Sequence, residues 1–402
     1  MSPFARHFVL DPTIDFLNHG SFGACPRVVL EEQDRLRAEL ERQPVHFMSR
    51  ELEPLLDATR ARVARFVGAR AEDLVFVMNT TEGVNAVLAS LPFEPGDELI
   101  VTNHGYNACN NAATFWAERR GARTVVADIP VPLAGPDEVV AAVLGAVTPR
   151  TRIALIDQVT SPTGIVFPAR AIVTALRERG VLSLIDGAHA PGMLPLDLVT
   201  LDADYYVGNL HKWCCTPKGT AILVARPDRQ ATLRPLVISH GANTRRTDRP
   251  KLWLEFDWVG TIDPTGVLAV PRALDFLESL LPGGFPALME ANRALARAAR
   301  TCLLEAVGGV PLCPEDMLGA LASVALPDAP QPEAFANSPF AEPLYSEIRA
   351  ARFEAFVLNW PAPPKRMLRV TAQIYNELSQ YERLAALLRD KLGASATLGT
   401  QH

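Results

Sequence analysis

Val181-Leu182-Ser183-Leu184-Ile185-Asp186-Gly187-Ala188-His189 and, shortly after, Tyr205-Tyr206-Val207-Gly208-Asn209-Leu210-His211-Lys212-Trp213 decide how this chain of 402 residues is read. Each is a short run of branched or aromatic apolar residues that ends in a residue able to do chemistry. A strand apolar on both faces belongs inside a sheet covered on both sides, and helices placed between such strands make that sheet parallel. In open sheets of this kind ligands gather at the carboxyl ends of the strands, so the residues just after each strand carry most of the information about function.

The same alternation extends outward over residues 74 to 225. Strands are expected at Leu74 to Met78, Glu98 to Thr102, Thr124 to Ala127, Ile153 to Ile156, Val181 to Ile185, Tyr205 to Val207 and Ala221 to Val224. Helical periods fall between them at Gly83 to Ser90, Asn107 to Arg119, Asp137 to Val147 and Pro168 to Arg179. The pattern predicts an α/β protein with a mostly parallel seven-stranded sheet. An amphipathic helix at Arg27 to Arg42 precedes the block, and long helices at Pro271 to Leu281 and Pro286 to Val307 follow it. The remainder, with a proline-rich stretch from Pro327 to Pro343 and a last helix near Leu378 to Leu392, reads as a smaller α+β unit. We divide the chain into an N-terminal arm (1–25), a large α/β domain (26–270) whose helix 27–42 faces the small domain, and a small C-terminal domain (271–402).

Composition narrows the function classes. Hydrophobic residues make up 48% and charged residues 21%, which fits a folded globular chain and excludes disordered and fibrous classes. The net charge of −6 argues against nucleic acid as the main partner. The six cysteines show no CxxC spacing, so neither a metal site nor a disulfide framework is expected. The first fifteen residues carry no secretory pattern and no apolar run reaches the ~20 residues of a membrane span, so a cytoplasmic protein without membrane contact is expected.

Lys212, just past a strand, is flanked by Tyr205, Tyr206, Val207, Leu210 and Trp213. Burial lowers a lysine's pKa and makes it a usable nucleophile for a Schiff base. A solvated surface lysine is the commoner fate of this residue type, and the apolar surroundings weigh against it. Asp186, 26 residues earlier, ends an apolar strand, where a carboxylate is costly unless a cation meets it. A protonated pyridine nitrogen would serve, and so would a role as a turn or helix cap. At Asn79-Thr80-Thr81-Glu82-Gly83 a strand gives way to a helix, which makes an anion site suited to phosphate, or simply an N-cap. No GxxxxGK[ST] run or GxGxxG follows a strand, which argues against a nucleotide-dependent enzyme. Lysine, aspartate and phosphate cradle together fit pyridoxal 5′-phosphate.

With those residues in place, the chain resembles the class V aminotransferases, pyridoxal phosphate enzymes of fold type I. Leu17-Asn18-His19-Gly20-Ser21-Phe22-Gly23, Asn79 to Gly83, Thr160-Ser161-Pro162-Thr163-Gly164, Gly208 to Trp213 and Arg369-Val370-Thr371-Ala372-Gln373-Ile374-Tyr375-Asn376 are similar to its isopenicillin N epimerase-like branch, which also holds carbon-sulfur lyases. The likeness implies Lys212 as the Schiff-base lysine and Cα proton carrier, Asp186 on the pyridinium nitrogen and His189 on the ring's phenolic oxygen. It implies Thr80, Thr81 and His211 on the phosphate, with Thr261 reaching it from a second subunit of a homodimer. Tyr106 takes the ring-stacking position, with His104 as the alternative. Arg369 would clamp the substrate carboxylate, and Asn18, His19 and Gly20 would line the substrate side.

Two departures stand out. Gln158 occupies a position where relatives often carry histidine. Cysteine desulfurases place a persulfide-forming cysteine ahead of the carboxylate-binding arginine, yet no cysteine lies between Pro314 and His402. Desulfurase chemistry of that kind is therefore disfavoured. The resemblance leads to chemistry at Cα of an L-amino acid, by epimerisation or β-elimination, with transamination as an alternative. A non-catalytic pyridoxal phosphate-binding protein ranks below all of these, since the lysine and aspartate are both present.

Overall fold

The computed structural model describes residues 2–330 and 342–398, so part of the proline-rich stretch falls outside the described residues. Twelve strands are present among them: β1 (Asp15–Phe16), β2 (Leu74–Val77), β3 (Glu98–Thr102), β4 (Arg123–Ala127), β5 (Thr151–Asp157), β6 (Leu182–Asp186), β7 (Tyr205–Asn209), β8 (Ala221–Ala225), β9 (Leu321–Leu326), β10 (Phe353–Glu354), β11 (Phe356–Asn359) and β12 (Arg366–Thr371). Seven of them form one sheet in the order β2-β8-β7-β6-β5-β3-β4. All its pairings are parallel except those of β8, which runs against both β2 and β7.

Successive residues of each central strand enter different cores. Ile100, Ala154, Ile156, Ile185, Tyr206 and Ile222 pack on one face of the sheet. Leu99, Val101, Leu155, Leu184, Val207 and Leu223 pack on the other. Burial on both faces explains the unbroken apolar runs in the sequence. The antiparallel insertion of β8 has no such signature, because an apolar strand reads alike in either direction.

Element ends moved by a few residues, with physical causes. The helix expected from Gly83 starts at Thr80, because the Asn79 side chain accepts the Glu82 N–H and Glu82 reaches back to the Met78 N–H. β5 runs on to Asp157 and β7 to Asn209, so Lys212 lies in the turn that follows its strand. A helical run from Pro44 to Val67, broken by a single π-turn at Phe47–Glu51, was absent from the sequence reading. Together with the helix Arg27–Arg42 it buries Val29, Leu36, Phe47, Leu52 and Leu56 against Leu268, Ala269 and Ala273.

Strands β11-β12-β9 form a second, antiparallel sheet. The helices Gly284–Val307 and Leu378–Leu398 cover it through Ala296, Ala299, Leu303, Tyr381, Leu384 and Leu388. The N-terminal arm belongs to this unit in space: β1 pairs with β10, and the Thr371 N–H donates to the Leu17 carbonyl at 2.8 Å. The arm then turns back at Gly23, whose φ is +72°. A Cβ built there would lie 2.0 Å from the His211 carbonyl oxygen and 3.1 Å from Lys212 Cα. Left-handed φ and close approach both demand glycine. Gly23→Ala is expected to cost at least about 2 kcal/mol, since strain and a main-chain clash add. A urea melt matching that of the parent would contradict this.

Candidate active site

The carboxyl edge of β5, β6 and β7 opens into a cavity of about 470 Å³. Lys212, Asp186, His189 and His211 line it, as do Thr80, Thr81 and Tyr106. These are seven of the residues expected from sequence. Four others stand behind the wall or deeper: Asn18, His19, Gly20 and Arg369 are buried and do not line this cavity. Thr261 is exposed and lies away from it.

Burial pulls Lys212 down to about 8, with the nearby Arg369 charge adding to the effect. Its Nζ lies 3.1 Å from His189 Nε2. The other ring nitrogen of His189, Nδ1, accepts the indole N–H of Trp213 at 3.3 Å. An indole only donates, so Nδ1 must hold a lone pair, and burial keeps His189 well below its usual basicity. His189 therefore carries its proton on Nε2, facing the lysine and the cavity.

Asp186 accepts the Ala188 N–H on Oδ1 at 2.9 Å and the Cys109 thiol on Oδ2 at 3.2 Å. No ion pair reaches it among the described residues, and burial raises its pKa. Asp157 stands beside it in register and also lines the cavity. Burial, then the charge of Asp186, raises Asp157 well above the usual range. The sequence reading missed Asp157 because it ended β5 one residue early. The signal was the one that found Asp186, an acid closing an apolar strand.

At the helix start, Asn209 Oδ1 accepts the Thr80 N–H at 2.9 Å, while Thr80 Oγ1 is buried without a partner. His211 gives its Nδ1 proton to the Thr220 carbonyl at 3.2 Å, and burial lowers it to about 4. Neutral, it presents only a lone pair at Nε2; a bound anion would draw a second proton there.

Arg369, on β12, is buried beside Lys212 and has no carboxylate partner among the described residues. Nη1 donates to the Ser161 carbonyl at 2.8 Å and its hydroxyl at 3.1 Å; Nη2 donates to Ser21 Oγ at 2.7 Å and Asn18 Oδ1 at 3.3 Å. Its Nε is buried and unpartnered, and the group stacks 5.2 Å from the Phe356 ring. Burial lowers it to about 10, with the Tyr106 phenol acting the other way. Ser21 and Ser161, which carry it to the cavity wall, were quoted from sequence without that role.

His104 and Tyr106 are placed differently with respect to the cavity. His104 is wholly buried away from the cavity, bound at 2.8 Å to Thr163 Oγ1 and at 3.2 Å to the Ile129 carbonyl. Tyr106 remains at the cavity, 45% exposed, at the start of the helix Asn107–Glu118. Gln158 faces outward, accepting the Tyr206 hydroxyl at 2.9 Å and lining a separate surface groove.

An orphaned threonine hydroxyl at a helix start, an aspartate lacking a cation and a weakly basic lysine match the phosphate, ring nitrogen and aldehyde of pyridoxal phosphate in turn. That fit, in this α/β fold, places the protein among the fold-type I enzymes that use this cofactor. Comparison with known proteins narrows the class: the model of the family described as "Aminotransferase class-V" matches residues 16–328, and the chain belongs to that family. It is 35% identical to isopenicillin N epimerase of Amycolatopsis lactamdurans, over 95% of this chain and 96% of the relative. It is 30% identical to the putative L-cysteine desulfhydrase 2 of Oryza sativa subsp. japonica, over 95% and 84%. Among solved structures, the cystine C-S lyase C-DES in complex with its product cysteine persulfide superposes with a TM-score of 0.81 at 21% identity, covering 94% of this chain and 98% of the other.

Asp157 gives a test of the cavity floor. Its raised pKa means the folded state binds more protons than the unfolded one between the two values. Stability is therefore highest at low pH and falls as pH rises toward the folded value. In the cofactor-free protein, Asp157→Asn is expected to melt close to the parent at or below about pH 4 and a few degrees above it near pH 8. A gap that is constant with pH would show that Asp157 is ionised throughout.

Proposed function

We propose that this protein acts at the α-carbon of an L-amino acid, without net transamination, and releases a sulfur group from the β-carbon. The observation that carries the reading is Arg369: a buried guanidinium beside the lysine, held by Ser21 and Ser161 and with no acid paired to it among the described residues. It is suited to the substrate carboxylate, whose two oxygens its planar fork can meet. That contact sets the Cα–H bond toward Lys212.

Pyridoxal phosphate, when bound, supplies an electron sink that lets the Cα–H bond ionise. The residues do the rest. Lys212, basic enough to act near pH 8 when released, holds the proton taken from Cα. Asp186 would oppose the charge of a protonated ring nitrogen. His189 would donate its Nε2 proton to the ring oxygen, Thr80, Thr81 and His211 would hold the phosphate, and Tyr106 would cover the ring.

Elimination needs one base, and Lys212 is that base. The second reading, epimerisation, is favoured by the epimerase relatives and by Tyr106, whose hydroxyl, raised by burial, stays protonated and can return a proton from the other side. The active form is a cytoplasmic homodimer in which the exposed Thr261 of one subunit meets the partner's phosphate. The arm (1–25) and the large domain (26–270) line this cavity, and the small domain (271–402) supplies Arg369 behind its wall.

Incubating the holoenzyme with single L-amino acids in deuterated buffer tests the reading. Pyruvate from a sulfur-containing amino acid is expected; deuterium at Cα of an inverted substrate would instead establish epimerisation. Stoichiometric keto acid with pyridoxamine phosphate and neither other product would make the protein an aminotransferase. Arg369→Lys is expected to raise KM roughly 10- to 100-fold with little loss of cofactor, because an ammonium cannot replace the two-pronged contact. Cofactor loss at unchanged KM would assign Arg369 to the phosphate or ring instead.

A further inference from the structure

His19 was expected on the substrate side, yet it is wholly buried behind the turn that carries Lys212. Its Nδ1 lies 2.8 Å from the Tyr375 hydroxyl and its Nε2 lies 3.0 Å from the Lys212 carbonyl oxygen. The ring also packs 5.1 Å from the Trp213 ring and 5.8 Å from the Tyr375 ring. His19 thus joins the N-terminal arm to the turn after β7 and to the segment after β12. We propose that His19 is the positioning residue for Lys212: it fixes the lysine's peptide by a hydrogen bond and ties it to the substrate-carboxylate strand through Tyr375.

The hydrogen-bond bookkeeping leaves one tautomer. A carbonyl can only accept, so Nε2 carries the proton and donates it to Lys212 O. Nδ1 then holds a lone pair and accepts the Tyr375 hydroxyl proton. The side-chain amide of Gln373 also approaches Nε2, at 3.3 Å, but its orientation is set elsewhere. Its Oε1 accepts from Asn292 at 2.8 Å and from the Ile374 N–H at 2.9 Å, and its NH₂ has Cys215 Sγ at 3.7 Å as acceptor. Burial holds His19 down near 3 and raises the Tyr375 phenol, so both stay neutral and the relay keeps its direction.

The Lys212 carbonyl accepts a second bond, from the Cys215 N–H at 3.0 Å, which closes the turn. The turn alone sets the local curvature; His19 sets where the turn sits relative to Arg369, two residues of β12 from Thr371, whose N–H and hydroxyl both bind the Leu17 carbonyl. Gly20 allows the helix of the arm to sit this deep, since a Cβ there would come within 2.9 Å of Thr371 Cγ2 and 3.5 Å of His189 Cε1. One buried imidazole thus registers the lysine against the carboxylate site.

The inference rests on the reading of Lys212 as the cofactor lysine, and the test separates the two. In the holoenzyme, His19→Phe keeps ring volume and removes both hydrogen bonds, while His19→Gln keeps a donor at the position of Nε2 and an acceptor for Tyr375. His19→Phe is expected to lower kcat at least about tenfold with KM within about threefold, because a displaced base costs rate rather than binding. It is also expected to move the pH midpoint of the cofactor's visible band. His19→Gln should restore both, and Tyr375→Phe should move both in the same direction by less. A His19→Phe protein with a lower melting temperature but unmoved kcat and midpoint would overturn the proposal, as would a raised KM at constant kcat. A folded His19→Gln that fails to restore them would also overturn it. Should His19→Phe not fold, an unmoved midpoint in Tyr375→Phe overturns it. Borohydride reduction decides the underlying reading independently: an adduct on Lys212 sustains it, and one on another lysine removes both.

Discussion

The carboxyl edge of the central sheet buries ionisable groups that make no ion pair among the described residues. Lys212, Asp186 and Asp157 lose solvation there, Arg369 does so on β12, and each shifts toward its neutral form. A folded chain tolerates such a set only where it has a use for the unsatisfied field, because desolvated charge costs several kcal/mol when uncompensated. A ligand bearing an aldehyde, a cationic ring and a carboxylate from its substrate would answer Lys212, Asp186 and Arg369 in turn. The fold's stability elsewhere, in two cores on either face of the sheet, is what holds this edge open.

Placement of these groups is a consequence of topology. Parallel strands bring their carboxyl ends to one side, so Asp157 and Asp186 come out adjacent and the helix starting at Thr80 points its amino end at the same space. The second sheet contributes Arg369 from a different unit, and the arm contributes Ser21 and His19. Of these, Ser21 lines the cavity, and Arg369 reaches its wall through Ser21 and Ser161. Trp213 and His19 finish the arrangement from behind: one fixes the proton of His189, the other the backbone of Lys212.

Much of this was legible in the residues. All seven strands of the main sheet were marked by apolar runs, since both faces are buried, and Lys212, Asp186 and the Thr80 helix start were found by asking what ends each run. The direction of β8 was invisible because side-chain pattern carries no polarity. Asp157 escaped through a boundary drawn one residue short. His19 was assigned to the substrate side by resemblance of its segment, and a motif does not show which way its imidazole turns. The choice between His104 and Tyr106 likewise needed the third dimension, where Thr163 and Ile129 hold the histidine away.

The arm's pairing has a consequence for how the protein comes into being. Leu17 and Thr371, which bind each other, are 354 residues apart. At ribosomal rates of about 5 to 20 residues per second, the arm waits roughly 20 to 70 seconds after its own synthesis for the strand it needs. The central sheet, with Lys212 in its turn, has left the ribosome well before then. A nascent chain thus passes through a period in which the lysine exists but its carboxylate site does not, and the reactive centre is completed only once β12 has emerged.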